Sequence, residues 1–216
     1  FPVNGIALGD KVQVEPVSEL KFKNIARQVY DYSCGSAALV TVLQNHIGIP
    51  VTEQQAMEGM LAHGESDKII ARRGFSLLDM KRFVTSMGLE GNGFRGELSD
   101  LRSLTAPVIV PIDFENFKHF VVLRGIRDGK VFLADPALGH LVVTESEFAA
   151  MWDRNTLFLI SAPKDKSPRN LLALTTHELG IFDADLIRTE AVLRVMHNND
   201  VLQRTLEVQQ GIATWR

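Results

Sequence analysis

The chain contains a single cysteine, Cys34. One cysteine excludes an intrachain disulfide and any cysteine-rich zinc or iron–sulfur site. The ordinary fate of a lone thiol is burial as a small apolar filler, but the sequence around this one argues for chemistry. From Ser33 onward Leu39, Val42, Leu43 and His46 fall on one helical stripe, closed by Gly48 and Pro50. Cys34 is therefore expected at a helix N-terminus, where unpaired N–H groups and the macrodipole favour the thiolate, the form that attacks carbonyl carbon. Gly35 would let a substrate backbone come close, and Ser36, Ala37 and Ala38 keep the first turn free of bulk.

A thiolate nucleophile needs a partner that holds its proton and later gives it to a leaving amine, and histidine has the suitable pKa. Of six histidines, His46 and His63 lie on or just after helices beside charged residues, while His140, His177 and His197 sit among polar neighbours. These five read as surface or satisfied core histidines. His119 differs, because it opens the apolar run Phe120-Val121-Val122-Leu123 and would be held rigidly at a strand end. Asp135 ends the next apolar run, Val131 to Ala134, ahead of Pro136, and is placed to orient the imidazole.

The segment QVYDYSCGSAAL from Gln28 to Leu39, HFVVL from His119 and DPALG from Asp135 together resemble peptidase family C39 of the papain-like superfamily. In that family a glutamine lies six residues before the cysteine, and an Asp-Pro aspartate follows the histidine by sixteen; Gln28 and Asp135 hold both spacings. The resemblance spans about residues 22 to 161 and implies Cys34 as nucleophile, His119 as base and acid, and Asp135 as orienter. It also implies Gln28 as a side-chain donor to the oxyanion beside the Cys34 backbone N–H. Tyr32 and Gly35 are expected on the substrate side, and no metal or cofactor is implied.

Known members of the family cut peptide leaders after Gly-Gly pairs, which implies a peptide or protein substrate with a Gly-rich site. Ser36 stands where the family often has proline. With no exporter membrane or nucleotide-binding domain in the sequence, the chain most resembles free-standing exported C39-like peptidases, including those encoded with bacterial functional-amyloid secretion systems. Secretion-system components are the further partners this implies, and the periplasm the expected compartment. The alternative is a catalytically silent C39-like module that binds exported cargo, or related amide or transamidation chemistry on the same residues.

The elements that must position these residues read as helices first and strands afterwards. Thr52 with Gln55, Ser76 with Asp79 and Thr144 with Glu147 are capping boxes, with Gly64 and Gly88 as stops for the first two. Strands are expected over 108–112, 119–126, 131–134, 141–143 and 157–160, with Asp128-Gly129 as a hairpin turn. The fold class is α+β of papain-like type: an N-terminal helical layer, with the cysteine at a helix N-terminus, packed on an antiparallel sheet in two segregated layers.

Residues 1–21 read as an extended lead-in, 22–163 as the peptidase-like domain and 164–216 as a helical extension that docks a partner or covers the domain. The stretch 162–170 resembles a linker in composition.

The formal net charge of -3 gives no basic field to draw the chain onto nucleic acid. No apolar run approaches membrane-spanning length. The chain opens on Phe1 rather than methionine, so removal of a preceding segment, an export signal or otherwise, is expected. Gly91 to Gly96 fits a dinucleotide fingerprint literally but lacks its strand and helix, and reads as a loop. Thr176-His177-Glu178-Leu179 lacks the second histidine of a zinc motif. Asp113 and Glu115 read as a solvated turn near His119, with the rim of a cleft as the other reading.

Overall fold

The computed structural model describes residues 17–30, 32–114 and 117–181. Six strands, β1 (Glu90–Arg95), β2 (Val108–Phe114), β3 (Phe117–Arg127), β4 (Lys130–Asp135), β5 (Gly139–Thr144) and β6 (Thr156–Ser161), form one antiparallel sheet in the order β1-β6-β2-β3-β4-β5. Strands β2 to β5 are the expected meander. Its β3–β4 turn places Asp128 and Gly129 at φ 51 and 72, the double positive φ whose twist matches the flanking strands.

Along β2, Val108, Val110 and Ile112 face one apolar cluster and Ile109 the other; along β3, Val121 and Leu123 alternate with Val122 in the same way. A sheet covered on both faces explains why these runs read as continuously apolar. One face carries α2 (Cys34–Val42), α3 (Glu53–His63) and α5 (Leu77–Ser86) through Leu39, Met60 and Met80. The other carries α6 (Leu98–Ser103) and α7 (Glu145–Met151) through Leu101 and Phe148. The N-terminal helical layer on an antiparallel sheet is as expected. The two-layer division is not, because α6 and α7 add a second, smaller cover.

All three capping boxes form, at Thr52, Ser76 and Thr144. The helix opening at Cys34 becomes α2 and then a π-helical turn, Leu43–Ile47, closed by Gly48 at φ 88. Two short helices, α1 (Val17–Lys21) and α4 (Ser66–Arg72), had no sequence signal; α4 starts at Glu65 without a side-chain cap bond. The stretch around Gly91 is the edge strand β1 and not a loop. Its two glycines and exposed face erase any alternation, yet Gly91 is needed, since a Cβ there would lie 2.6 Å from Val84 and 2.7 Å from Phe158.

The linker-like stretch is docked. Arg169 and Leu171 donate their N–H groups to the His46 and Asn45 carbonyls of the π-helical turn, at 2.8 and 2.9 Å, and Leu172 is buried in the core. The expected helical character after 164 begins only at α8 (Thr176–Ile181). The strand-like lead-in through residue 16 and the tail from 182, including His197, lie outside the described residues.

Candidate active site

Cys34 is the first residue of α2 and is partly exposed. The helix-capping residue before it, Ser33, makes no side-chain cap bond, so its hydroxyl does not occupy the first-turn N–H groups around the thiol. His119 lies within β3 opposite Ile112, not at the strand end expected, because Phe117 and Lys118 extend the pairing with β2; Asp135 is the last residue of β4, and both are buried. The antiparallel β3–β4 pairing brings their side chains together, with His119 Nε2 3.0 Å from Asp135 Oδ1. That oxygen also accepts the Ala137 and Leu138 N–H groups at 2.7 and 3.1 Å, fixing the carboxylate through the local turn that Pro136 begins. With Nε2 turned to Asp135, Nδ1 is the ring nitrogen left for Cys34, which the start of α2 brings up to β3 where Gly35 packs against Phe120.

Burial alone would push the Cys34 thiol up; the hydrogen bond and charge of His119, and a hydrogen bond from the Phe120 backbone, outweigh it and hold the thiol below its ordinary value. Burial pulls His119 down, but the Asp135 charge and hydrogen bond, with the thiolate beyond, raise it well above the ordinary histidine value. Burial would raise Asp135; the facing imidazolium and the two turn N–H groups keep it low and ionised. All three directions favour a thiolate–imidazolium pair flanked by a carboxylate, the form in which a cysteine can attack carbonyl carbon.

Gln28 is half-buried. Its backbone N–H donates to the Pro136 carbonyl at 2.9 Å, and its side-chain Nε2 donates to the Tyr30 carbonyl at 2.9 Å. The amide carries a second N–H beyond that bond. Tyr32 is exposed and adopts φ 64 just before the helix. Gly35 has a packing reason of its own: it is buried, and a Cβ would lie 2.9 Å from Met80 Cε and 3.3 Å from Phe120 Cδ2. Asp113 pairs in register with Lys118, and Glu115 lies outside the described residues.

Among the other histidines, His46 is buried beside Asn170, and burial holds it below its ordinary value. His140 is engaged by Arg124 and the Lys23 carbonyl at 2.9 and 2.8 Å. Among the described residues no group of three or more His, Cys, Asp or Glu side chains could hold a metal ion, and no helix is long and apolar enough to cross a membrane. Sequence reasoning missed the Phe120 N–H, since backbone donors leave no mark in a sequence. It also missed Glu53, which accepts Val29 N–H at 3.1 Å and the Ser33 hydroxyl at 2.6 Å and whose only sequence signal was a position after a helix cap.

The family model described as Peptidase C39 family matches residues 22–164. A curated relative, the probable functional amyloid protease FapD of Pseudomonas aeruginosa, is 41% identical over 154 residues, which cover 71% of this chain and 68% of that protein. Among solved structures, the peptidase domain of Streptococcus ComA, a bifunctional ABC transporter involved in quorum sensing, superposes with a TM-score of 0.55 at 18% identity, over 65% of this chain and 99% of that one. A double glycine motif protease from an AMS/PCAT transporter, in complex with its leader peptide, gives a TM-score of 0.51 at 25% identity over 64% and 91% of the two chains.

Proposed function

On the premise that the chain belongs to the Peptidase C39 family and is a cysteine peptidase, we propose that it cuts the leader of an exported protein after a Gly-Gly type site, using Cys34, His119, Asp135 and Gln28. The observation that carries this reading is the His119–Asp135 pair at 3.0 Å beside the start of α2, where Cys34 lies and Gly35 packs against Phe120.

The Cys34 thiolate adds to the scissile carbonyl carbon, and the negative charge moves to the carbonyl oxygen. The Gln28 side-chain N–H and the Cys34 backbone N–H stabilise that oxyanion. Collapse expels the amine, which takes its proton from His119 and leaves a thioester on Cys34. Water, deprotonated by the now neutral His119, hydrolyses the thioester and regenerates the thiolate. Asp135 keeps the imidazole oriented through both steps.

The leader-peptide complex of the double glycine motif protease supports the substrate class. The FapD relative supports a place beside a functional-amyloid system, with its secretion components as partners and the periplasm as the compartment of action.

The test is cleavage of candidate exported proteins carrying a Gly-Gly pair, with the new termini sequenced. Cleavage after Gly-Gly that disappears in Cys34→Ala is the expected result. Cleavage unchanged in Cys34→Ala would sink the proposal, and binding without cleavage by the intact chain would favour a silent cargo-binding module.

A further inference from the structure

Glu53 belongs to none of the segments that resemble the family motifs, yet its carboxylate reaches the loop that joins Gln28 to Cys34. It opens α3, where the helix dipole favours its charge. Its oxygens accept the Val29 N–H at 3.1 Å and the Ser33 hydroxyl at 2.6 Å. Val29 directly follows Gln28 and Ser33 directly precedes Cys34, so one side chain grips the loop at both ends.

Inside the same loop the Tyr30 carbonyl accepts Gln28 Nε2 at 2.9 Å and the Ser33 N–H at 3.3 Å, and lies 2.7 Å from the Ser33 hydroxyl. A hydroxyl has one proton, so Ser33 serves Tyr30 or Glu53 at a time, and the charged acceptor makes the stronger bond. A serine at a helix start ordinarily turns its oxygen to the second or third N–H of the helix. Ser33 is fully buried and makes no such bond, because its hydroxyl is turned to Glu53 and Tyr30.

We infer that Glu53 is a positioning residue of the active site, holding the 29–33 loop so that the Gln28 side chain and the Cys34 backbone N–H keep the separation needed to stabilise one oxyanion together. The inference rests on the proposed roles of Cys34 and Gln28. Glu53 itself touches neither substrate nor sulfur; it acts through Val29 and Ser33. Donors that stabilise a transition state must be held in place before charge develops; the bonds to Tyr30 hold the loop to itself, and the Glu53 carboxylate ties it to the fixed start of α3.

Three measurements on Glu53→Ala and Glu53→Gln test this: kcat and KM on a Gly-Gly peptide, inhibition by a peptide aldehyde ending in Gly-glycinal, and the iodoacetamide rate of Cys34. The aldehyde adds to the thiolate, forming the C–S bond while its oxygen takes up the charge, so its affinity reads the donors without turnover. For Glu53→Ala the expected result is a fall in kcat of about 10- to 100-fold with KM nearly unchanged, smaller than outright loss of a donor. Aldehyde affinity should weaken in parallel, with the alkylation rate within about threefold of the parent because the ion pair with His119 is intact.

Glu53→Gln keeps an acceptor oxygen and should recover most of the loss; if the alanine chain does not fold, Ser33→Ala removes the other side of the contact and should reproduce a lower kcat. Unchanged kcat and aldehyde affinity in Glu53→Ala, or a loss confined to KM, overturns the inference. If the parent chain cleaves normally but Cys34→Ala does too, the functional reading has failed instead.

Discussion

Asp135 Oδ1 receives three donors at once, His119 Nε2 at 3.0 Å and the Ala137 and Leu138 N–H groups at 2.7 and 3.1 Å. One oxygen therefore does the orienting, and its charge is separable from its capacity to accept. An asparagine can place a neutral oxygen in the same position, and cysteine triads with asparagine as third member work. Asp135→Asn is expected to keep kcat/KM within about tenfold of the parent, while Asp135→Ala, which leaves three donors without a partner, loses on the order of 100-fold or more. The asparagine variant should also lose its high-pH activity earlier. The Asp135 charge is what raises His119, so the imidazolium gives up its proton at lower pH. A pH–kcat/KM profile with an unmoved upper limb would contradict this.

Labelling of the single cysteine follows from the same balance. Burial pushes the Cys34 thiol up and His119 more than offsets it, so the parent should alkylate with iodoacetamide at pH values below the ordinary thiol value of 9.0. In His119→Ala the burial contribution stands without its largest opponent, and the thiol rises. The rate at pH 7 should fall by at least about tenfold, since only the thiolate reacts. Equal rates for the two proteins at pH 7 would mean that no ion pair forms.

Gln28 is tied to the site through its backbone, whose N–H binds the Pro136 carbonyl at 2.9 Å. Truncating the side chain leaves that bond intact. Gln28→Ala should therefore fold, giving up only the exposed side-chain bond to the Tyr30 carbonyl, and lose about 100- to 1,000-fold in kcat, as removal of one oxyanion donor does, with little change in KM. A loss seen in KM alone would assign Gln28 to substrate binding.

His119 and Asp135, which the structure pairs, and Cys34 each carry a local signal in the sequence: a helix start for Cys34, an apolar run beginning after His119 and one ending before Asp135; Gln28 rests on a spacing alone. The capping boxes at Thr52, Ser76 and Thr144 were equally readable, being complete within four residues. What could not be read depends on partners distant in sequence. β1 exists because β6 pairs with it from Glu90 to Arg95, and nothing in its glycine-rich stretch announces a strand. Residues 162–170 look like a linker until the π-helical turn offers the His46 carbonyl to Arg169. Glu53 gains its contacts from Val29 and Ser33, more than twenty residues before it in one case and twenty in the other.

The docked segment after residue 164 is anchored by one ion pair that can be titrated. The Arg124 side chain is 4% exposed. It binds Glu178 through Nη1 at 2.5 Å and Nη2 at 3.0 Å and also donates to the Leu172 and Ala173 carbonyls. Glu178 in turn accepts the Thr175 N–H at the start of α8. Despite the burial that would raise it, bonding to Arg124 and Thr175 lowers Glu178 to about 2 from 4.5. A carboxylate depressed on folding contributes stability that is complete above its unfolded value and fades as pH falls from about 4.5 toward its folded value. Removing the charge leaves a buried guanidinium without its counter-ion, so Glu178→Gln should destabilise the chain by about 1–3 kcal/mol at pH 7. Urea midpoints measured for both proteins from pH 7 down to pH 3.5 should show that gap constant above about pH 5 and narrowing below 4.5. A gap that is absent at pH 7, or that widens on acidification, would mean that Glu178 does not anchor the segment to β3.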